Sequence, residues 1–183
     1  MMDDEDAKKF WKQIEYLESQ QKKPWHMMPS SQGRVVKRND GVKSTKLVMN
    51  GKEGSGHIIN ELTFKYWRPY DKVRDGLEQL QKDLYTFKRI KIPEFSVEYD
   101  KPNWKITLKK QFIRGDVITD DRKWADIIWH ELVERKGEYT FHSWDYHNFR
   151  VDKQGDLYYV DLDDYKKVPH EQRVTEYSRK FTR

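Results

Sequence analysis

Residues 141–164 read FHSWDYHNFRVDKQGDLYYVDLDD, and the reading of this stretch decides the fold. Two short apolar runs, Phe149-Arg150-Val151 and Leu157-Tyr158-Tyr159-Val160, flank the polar turn Lys153-Gln154-Gly155-Asp156. Gly155 supplies the positive φ that such turns often need, so a β-hairpin is expected. Asp145, His147 and Asn148 precede the first run, and Asp161, Asp163 and Asp164 follow the second. A hairpin closes its ends on each other, so Asn148 and Asp161, thirteen positions apart, are expected to lie close in space. Oxygen ligands converging on one point suit a hard cation such as Mg²⁺.

Outward from the hairpin, Thr119-Asp120-Asp121 opens a helix with Trp124, Ile127, Ile128 and Leu132 on one face and Gly137 as its stop. Phe95, Val97 and Tyr99 alternate, as do Trp104, Ile106 and Leu108, and Asp100-Lys101-Pro102-Asn103 separates them as a second hairpin turn. From Tyr70 to Ile90 a helix is expected. Val73, Leu77, Leu80, Leu84 and Phe87 share one face, Asp71 is the N-cap, and Lys88 and Arg89 complement the dipole at the end. Further back, Asn39-Asp40-Gly41 is a tight turn and Lys46-Leu47-Val48-Met49 a strand. The glycine-rich run Gly51-Lys52-Glu53-Gly54-Ser55-Gly56 then precedes two more strand segments, His57–Ile59 and Glu61–Trp67. Residues 4–21 form an amphipathic helix on Phe10, Trp11, Ile14 and Leu17, and 22–32, with Pro24 and Pro29, a linker. Residues 166–183 carry six Lys or Arg against two Glu, a basic tail.

A strand, a glycine-rich turn, strands leading to Lys65, a helix bearing Glu78 and the Asn148-to-Asp161 hairpin together resemble the protein-kinase-like superfamily of protein kinases and aminoglycoside-type phosphotransferases. The resemblance covers about residues 46–163. It implies an α+β fold, in which an antiparallel sheet with one flanking helix, like a kinase N-lobe, is joined by a hinge to a reduced helical lobe with a catalytic-type hairpin. Phe112-Ile113-Arg114-Gly115 resembles that hinge. The implied parts are 1–43 (helix, linker and hairpin), 44–113 (N-lobe-like) and 114–183 (reduced C-lobe-like, with the basic tail).

The resemblance also implies ATP and Mg²⁺ as cofactors. Gly54, Ser55 and Gly56 would cover the phosphates, Lys65 would contact them and Glu78 would brace Lys65. Asn148 and Asp161 would hold the metal, and Asp145 would orient or deprotonate the acceptor. The family usually places four residues between the catalytic Asp and the Asn. Asp145 and Asn148 have two between them, and strict counting puts Ser143 at the position of the base. Either the loop is shortened or the base is lost. Little of this sequence follows Asp161, so the resemblance does not lead to an expectation of peptide recognition as in protein kinases, and the acceptor is unknown.

A different class of function is a catalytically inactive kinase-like binding or assembly protein that contacts nucleic acid or a protein partner through its basic tail and aromatic-rich strands. A third is a metal-dependent nuclease using His142, Asp145, His147 and Asp161, although His130-Glu131 is not followed by the second His of a helical metal motif. Composition bounds all three. The 183 residues are 36% hydrophobic and 37% charged, and aromatics at 14% place the chain among folded proteins. The absence of cysteine excludes a disulfide framework and a thiolate metal site, and it fits a reducing, cytoplasmic setting. The acidic start Met-Met-Asp-Asp-Glu-Asp and the lack of a long apolar run point to neither a signal peptide nor a membrane span. A net charge of +5 suits polyanionic partners, nucleotides among them.

Overall fold

The computed structural model describes residues 8, 12, 26–27, 33–50, 55–116, 118 and 121–181. The helix expected over 4–21 and most of the linker fall outside them; Lys8 and Lys12 are helical and exposed. The fold is α+β. In chain order its elements are β1 (His26–Met27), β2 (Gly33–Arg38), β3 (Gly41–Asn50), β4 (Ser55–Phe64), α1 (Trp67–Asp83), β5 (Ile90–Lys91), β6 (Phe95–Asp100), β7 (Lys105–Gln111), α2 (Asp121–Ile128), β8 (Tyr139–Phe141), β9 (Phe149–Val151), β10 (Leu157–Tyr159), β11 (Tyr165–Lys167) and α3 (His170–Phe181). Contacts divide the chain into two compact units, Met1–Asp71 with Pro93–Phe112, and Lys72–Ile92 with Ile113–Arg183. The chain passes into the second unit within the expected hinge Phe112–Gly115, whereas β3 runs straight through the expected boundary at 43/44.

The first unit is one antiparallel sheet in the order β1-β2-β3-β4-β7-β6. Its inner face carries Leu47, Ile58, Leu62, Ile106 and Leu108, all at most 5% exposed, while Lys46, Glu61, Thr63 and Lys109 point outward. The expected segments His57–Ile59 and Glu61–Trp67 are a single strand, β4, paired with β3 from Ser55 to Phe64. Asn60 hid this continuity. It occupies an inner position, where its amide donates to Thr45 Oγ1 at 2.8 Å, so the apolar alternation looks broken in sequence but is unbroken in register. Arg34, Lys43 and Lys110 are also buried on this face.

Helix α1 starts three residues before Tyr70, with Pro69 in its first turn, and it stops at Asp83 rather than reaching Ile90. Its C-terminal end has one local cause and one distant one. Thr86 Oγ1 donates to the Asp83 carbonyl at 2.6 Å and tightens residues 84–86 into a 3₁₀ turn. The next three backbone N–H groups, those of Lys88, Arg89 and Ile90, donate to the buried carboxylate of Glu131. Leu77 and Leu80 are core residues, but Leu84 is 40% exposed because the turn takes it off the helical stripe.

The second unit holds the strand order β5-β10-β9, with β5 parallel to β10, and a β8–β11 pair. Helix α2 buries Trp124, Ile127 and Ile128, continues as a π turn through Trp129–Val133 and is followed by Gly137 at φ +92°. The expected basic tail is instead β11 and α3. Arg173 of α3 is 1% exposed and donates to the carbonyls of Val168, Val133, Arg135 and Gly137, which satisfies the C-terminal end of the α2 segment.

Gly76 lies where α1 crosses Tyr165, and a Cβ there would fall inside the Tyr165 carbonyl oxygen. Alanine is worth about 1 kcal/mol over glycine in an open helix. Overpacking against backbone costs about 1–3 kcal/mol, and a clash this close falls at the upper end, so Gly76→Ala is expected to destabilise despite its propensity, by up to about 2 kcal/mol in urea unfolding.

Candidate functional site

The hairpin forms as the sequence implies. Phe149, Arg150 and Val151 pair with Tyr159, Tyr158 and Leu157, and the Val160 N–H donates to the Asn148 carbonyl at 2.9 Å. The turn is set by side-chain capture: Asp152 Oδ1 accepts from the N–H groups of Gln154 and Asp156 at 3.0 and 2.8 Å, and Gly155 adopts φ +82°. Lys91 on β5 pairs with Asp156 at 2.8 Å. Asn148 and Asp161 therefore stand at the base of one hairpin, within one residue of its last hydrogen bond.

The loop leading to Asn148 is held by a carboxylate that the sequence reading left without a role. Asp164 Oδ2 accepts from the backbone N–H of His142 at 2.7 Å, from that of Ser143 at 2.6 Å and from the Tyr159 hydroxyl at 2.8 Å. The Ser143 carbonyl in turn accepts from Asn148 Nδ2 at 3.2 Å and from Tyr159 Oη at 3.1 Å. With Nδ2 so engaged, Oδ1 is the remaining polar atom of the Asn148 side chain. Burial, and then the negative charge of Asp161, push the Asp164 carboxyl above its ordinary range. Burial and the same carboxylates push the Tyr159 phenol well up. Lys166 Nζ, 3.6 Å from Asp164 Oδ1, works against the rise at Asp164. Mg²⁺ is typically bound through one or two protein oxygens together with substrate phosphates. Among the described residues no group of three or more His, Asp or Glu forms a metal cage.

Asp145 opens the 3₁₀ turn Tyr146–Asn148, and its carbonyl accepts the Asn148 N–H at 3.0 Å. Its carboxylate lies 3.6 Å from Lys180 Nζ of α3. His142, part of the nuclease reading, has its ring nitrogen against Glu176, also of α3. Tyr146 stacks on Trp124 at 4.3 Å, and Phe181 meets the same indole edge-on at 5.2 Å. The C-terminal helix is thus packed along the whole candidate loop.

The expected phosphate contacts belong to the first unit. Gly54 lies outside the described residues, as does the side chain of Ser55; Gly56 is buried in β4. Lys65 follows β4 rather than lying in it, is exposed, and donates its backbone N–H to the Asp40 carbonyl at 2.8 Å. Gly56 and Lys65 are nine residues apart along an extended strand, so about 30 Å separates them. One triphosphate cannot touch both. Glu78 is exposed on α1, about 16 Å along the helix axis from Trp67.

Two measurements check this loop. Asp164→Ala orphans two backbone donors and is expected to lower stability by about 2–4 kcal/mol. Glu176 supplies the pH dependence. Burial raises its carboxyl, but hydrogen bonds from Gln172 and His142 outweigh that and hold it below the ordinary 4.5. An acid with a lower constant when folded stabilises above its unfolded value, and that contribution disappears as pH falls through the folded value. The stability gap between the wild type and Glu176→Gln is therefore expected to be full above the ordinary 4.5 and to close as pH falls below it. Comparisons with protein-family models and with curated proteins give no match to this chain, so the site is read from its geometry alone.

Proposed function

We propose that the chain is a kinase-like, Mg²⁺- and ATP-binding phosphotransferase whose metal centre is the base of the β9–β10 hairpin. The observation that carries this reading is the placement of Asn148 and Asp161 across one ladder end, with Oδ1 the remaining polar atom of the Asn148 side chain. In phosphoryl transfer the protein mainly positions the reactants and neutralises charge. Asn148 and Asp161 would hold Mg²⁺, which would supply charge neutralisation to the phosphates, and Asp145, three residues before Asn148, would orient the acceptor hydroxyl and take its proton. The strand order around β4, with α1 following it and a hinge after β7, supports the kinase-like reading of the fold. The acceptor's identity is no part of the proposal, and neither is Lys65 as a partner of the glycine turn.

A second reading has its own observation. Asp145 is already paired with Lys180, and Ser143 stands at the family's base position. A carboxylate engaged in this way fits a protein that binds nucleotide without turning it over.

Isothermal titration of ATP with Mg²⁺ tests the main reading. Asp161→Ala and Asn148→Ala are each expected to weaken Mg²⁺-dependent ATP binding by about tenfold or more, a loss of about 1.4 kcal/mol. Unchanged binding in Asp161→Ala removes the metal assignment. Asp145→Asn is expected to leave ATP affinity in place and abolish transfer of label from ATP to generic hydroxyl acceptors. Transfer and hydrolysis that are both absent in the wild type while ATP binds select the second reading. Gly56→Val tests the phosphate role of Gly54, Ser55 and Gly56 separately, by ATP affinity in a variant whose unfolding midpoint is checked first.

A further inference from the structure

At one end of the first unit's sheet, three turns lie side by side. The Lys65 N–H donates to the carbonyl of Asp40 in the β2–β3 turn at 2.8 Å, and the Phe64 N–H donates to the carbonyl of Trp104 after the β6–β7 turn at 2.9 Å. Strands neighbour one another at about 4.8 Å, so this rim is about 10 Å wide across the three strand ends. Two large aromatic side chains stand on it in solvent, Tyr66 at 59% and Trp67 at 53% exposure. Neither is needed for the core, which closes over Phe64 and Tyr70, packed edge to face at 6.2 Å. Exposed cations surround the pair: Arg38 before the β2–β3 turn, Lys65 and Arg68 on either side of it in sequence, and Lys101 in the β6–β7 turn. Arg68 lies over the Trp67 ring at 5.2 Å from its centroid. The acids of these turns are Asp40 and Asp100, the latter accepting from Asn103 at 2.9 Å.

We propose that this rim binds a short single-stranded stretch of nucleic acid, with bases stacking on Tyr66 and Trp67 and phosphates meeting Arg38, Lys65, Arg68 and Lys101. Exposed aromatic rings interleaved with cations match a polymer of flat bases on an anionic backbone. A duplex keeps its bases stacked on each other and offers these rings nothing to stack on. Tyr, Trp and Arg also anchor protein interfaces, but four cations against two acids favour the polyanion. The inference is independent of the hairpin chemistry, since the rim and the hairpin belong to different units.

Fluorescence anisotropy of labelled 12-mers of dT and rU with the full chain, over a salt titration, is the test. Tyr66→Ala with Trp67→Ala is expected to weaken binding at least about fivefold, leaving the salt slope unchanged. Phe at both positions is expected to restore it. Arg38→Ala with Arg68→Ala is expected to flatten the log–log salt slope by about 1.4. Circular dichroism confirms that each variant is folded. Wild-type affinity in the aromatic double variant assigns any binding to general surface charge and overturns the proposal. Lack of binding at low salt, or preference for duplex over single strand, also overturns it, as does concentration-dependent self-association that the aromatic variant abolishes while the oligonucleotides stay unbound.

Discussion

A single carboxylate oxygen, Oδ2 of Asp164, arranges the second unit's loop. It gathers two consecutive backbone N–H groups and a tyrosine hydroxyl from a segment more than twenty positions earlier and from the strand beside it. Charge-assisted hydrogen bonds to backbone are strong, and they fix main chain rather than merely a side chain. Once His142 and Ser143 are held, the Ser143 carbonyl points at the Asn148 amide, and the candidate metal oxygen is set by what remains. Burial raises the Asp164 carboxyl, Asp161 adds a like charge that raises it further, and Lys166, 3.6 Å from Asp164 Oδ1, offsets part of the rise.

Buried carboxylates do the same work elsewhere in the unit. Glu131 takes three successive N–H groups at the end of α1 and thereby decides where that helix stops. Asp83 accepts from Tyr165 Oη at 2.6 Å, and Arg135 donates to the same hydroxyl at 2.9 Å while its guanidinium lies 4.2 Å from the centre of the Phe87 ring. Side chains that would otherwise be unsatisfied in the interior are thus used to terminate or join backbone segments. This is consistent with a chain that has as many charged residues as hydrophobic ones and a correspondingly thin apolar core.

The parts of this architecture visible in the sequence are those with local causes. Gly155 and Asp152 announce the β9–β10 turn, Asn39-Asp40-Gly41 the β2–β3 turn, and Lys101-Pro102-Asn103 the β6–β7 turn, because turn geometry is set within four or five residues. The stripes of α1 and α2 were equally legible through Leu77, Leu80, Trp124 and Ile128. What stayed hidden depends on distant partners. The early stop of α1 needs Glu131, more than forty positions on. The helix at 170–181 reads as a charged tail because its one buried cation, Arg173, is satisfied by carbonyls of another element. Asp164 looked like one of several loop acids, and Lys65 like a strand lysine, until register placed the one inside the loop and the other beyond the strand. The nearest available signal was the aromatic at Tyr159, a hydroxyl at a core position that must find an acceptor.

The parallel pairing of β5 with β10 carries a kinetic implication. Lys91 and Asp156, joined across that seam, are separated by 65 positions. No turn can bring such strands together, so the search for this register must wait until most of the intervening chain has been gathered, and the entropy of closing so large a loop falls on the folding barrier. The hairpin that carries Asn148 and Asp161 can zip early from its own turn. Its docking against Ile90 and Lys91 is a late event, and a chain released from denaturant should pass through a species in which the two hairpin ends have met but lie on an unfinished sheet.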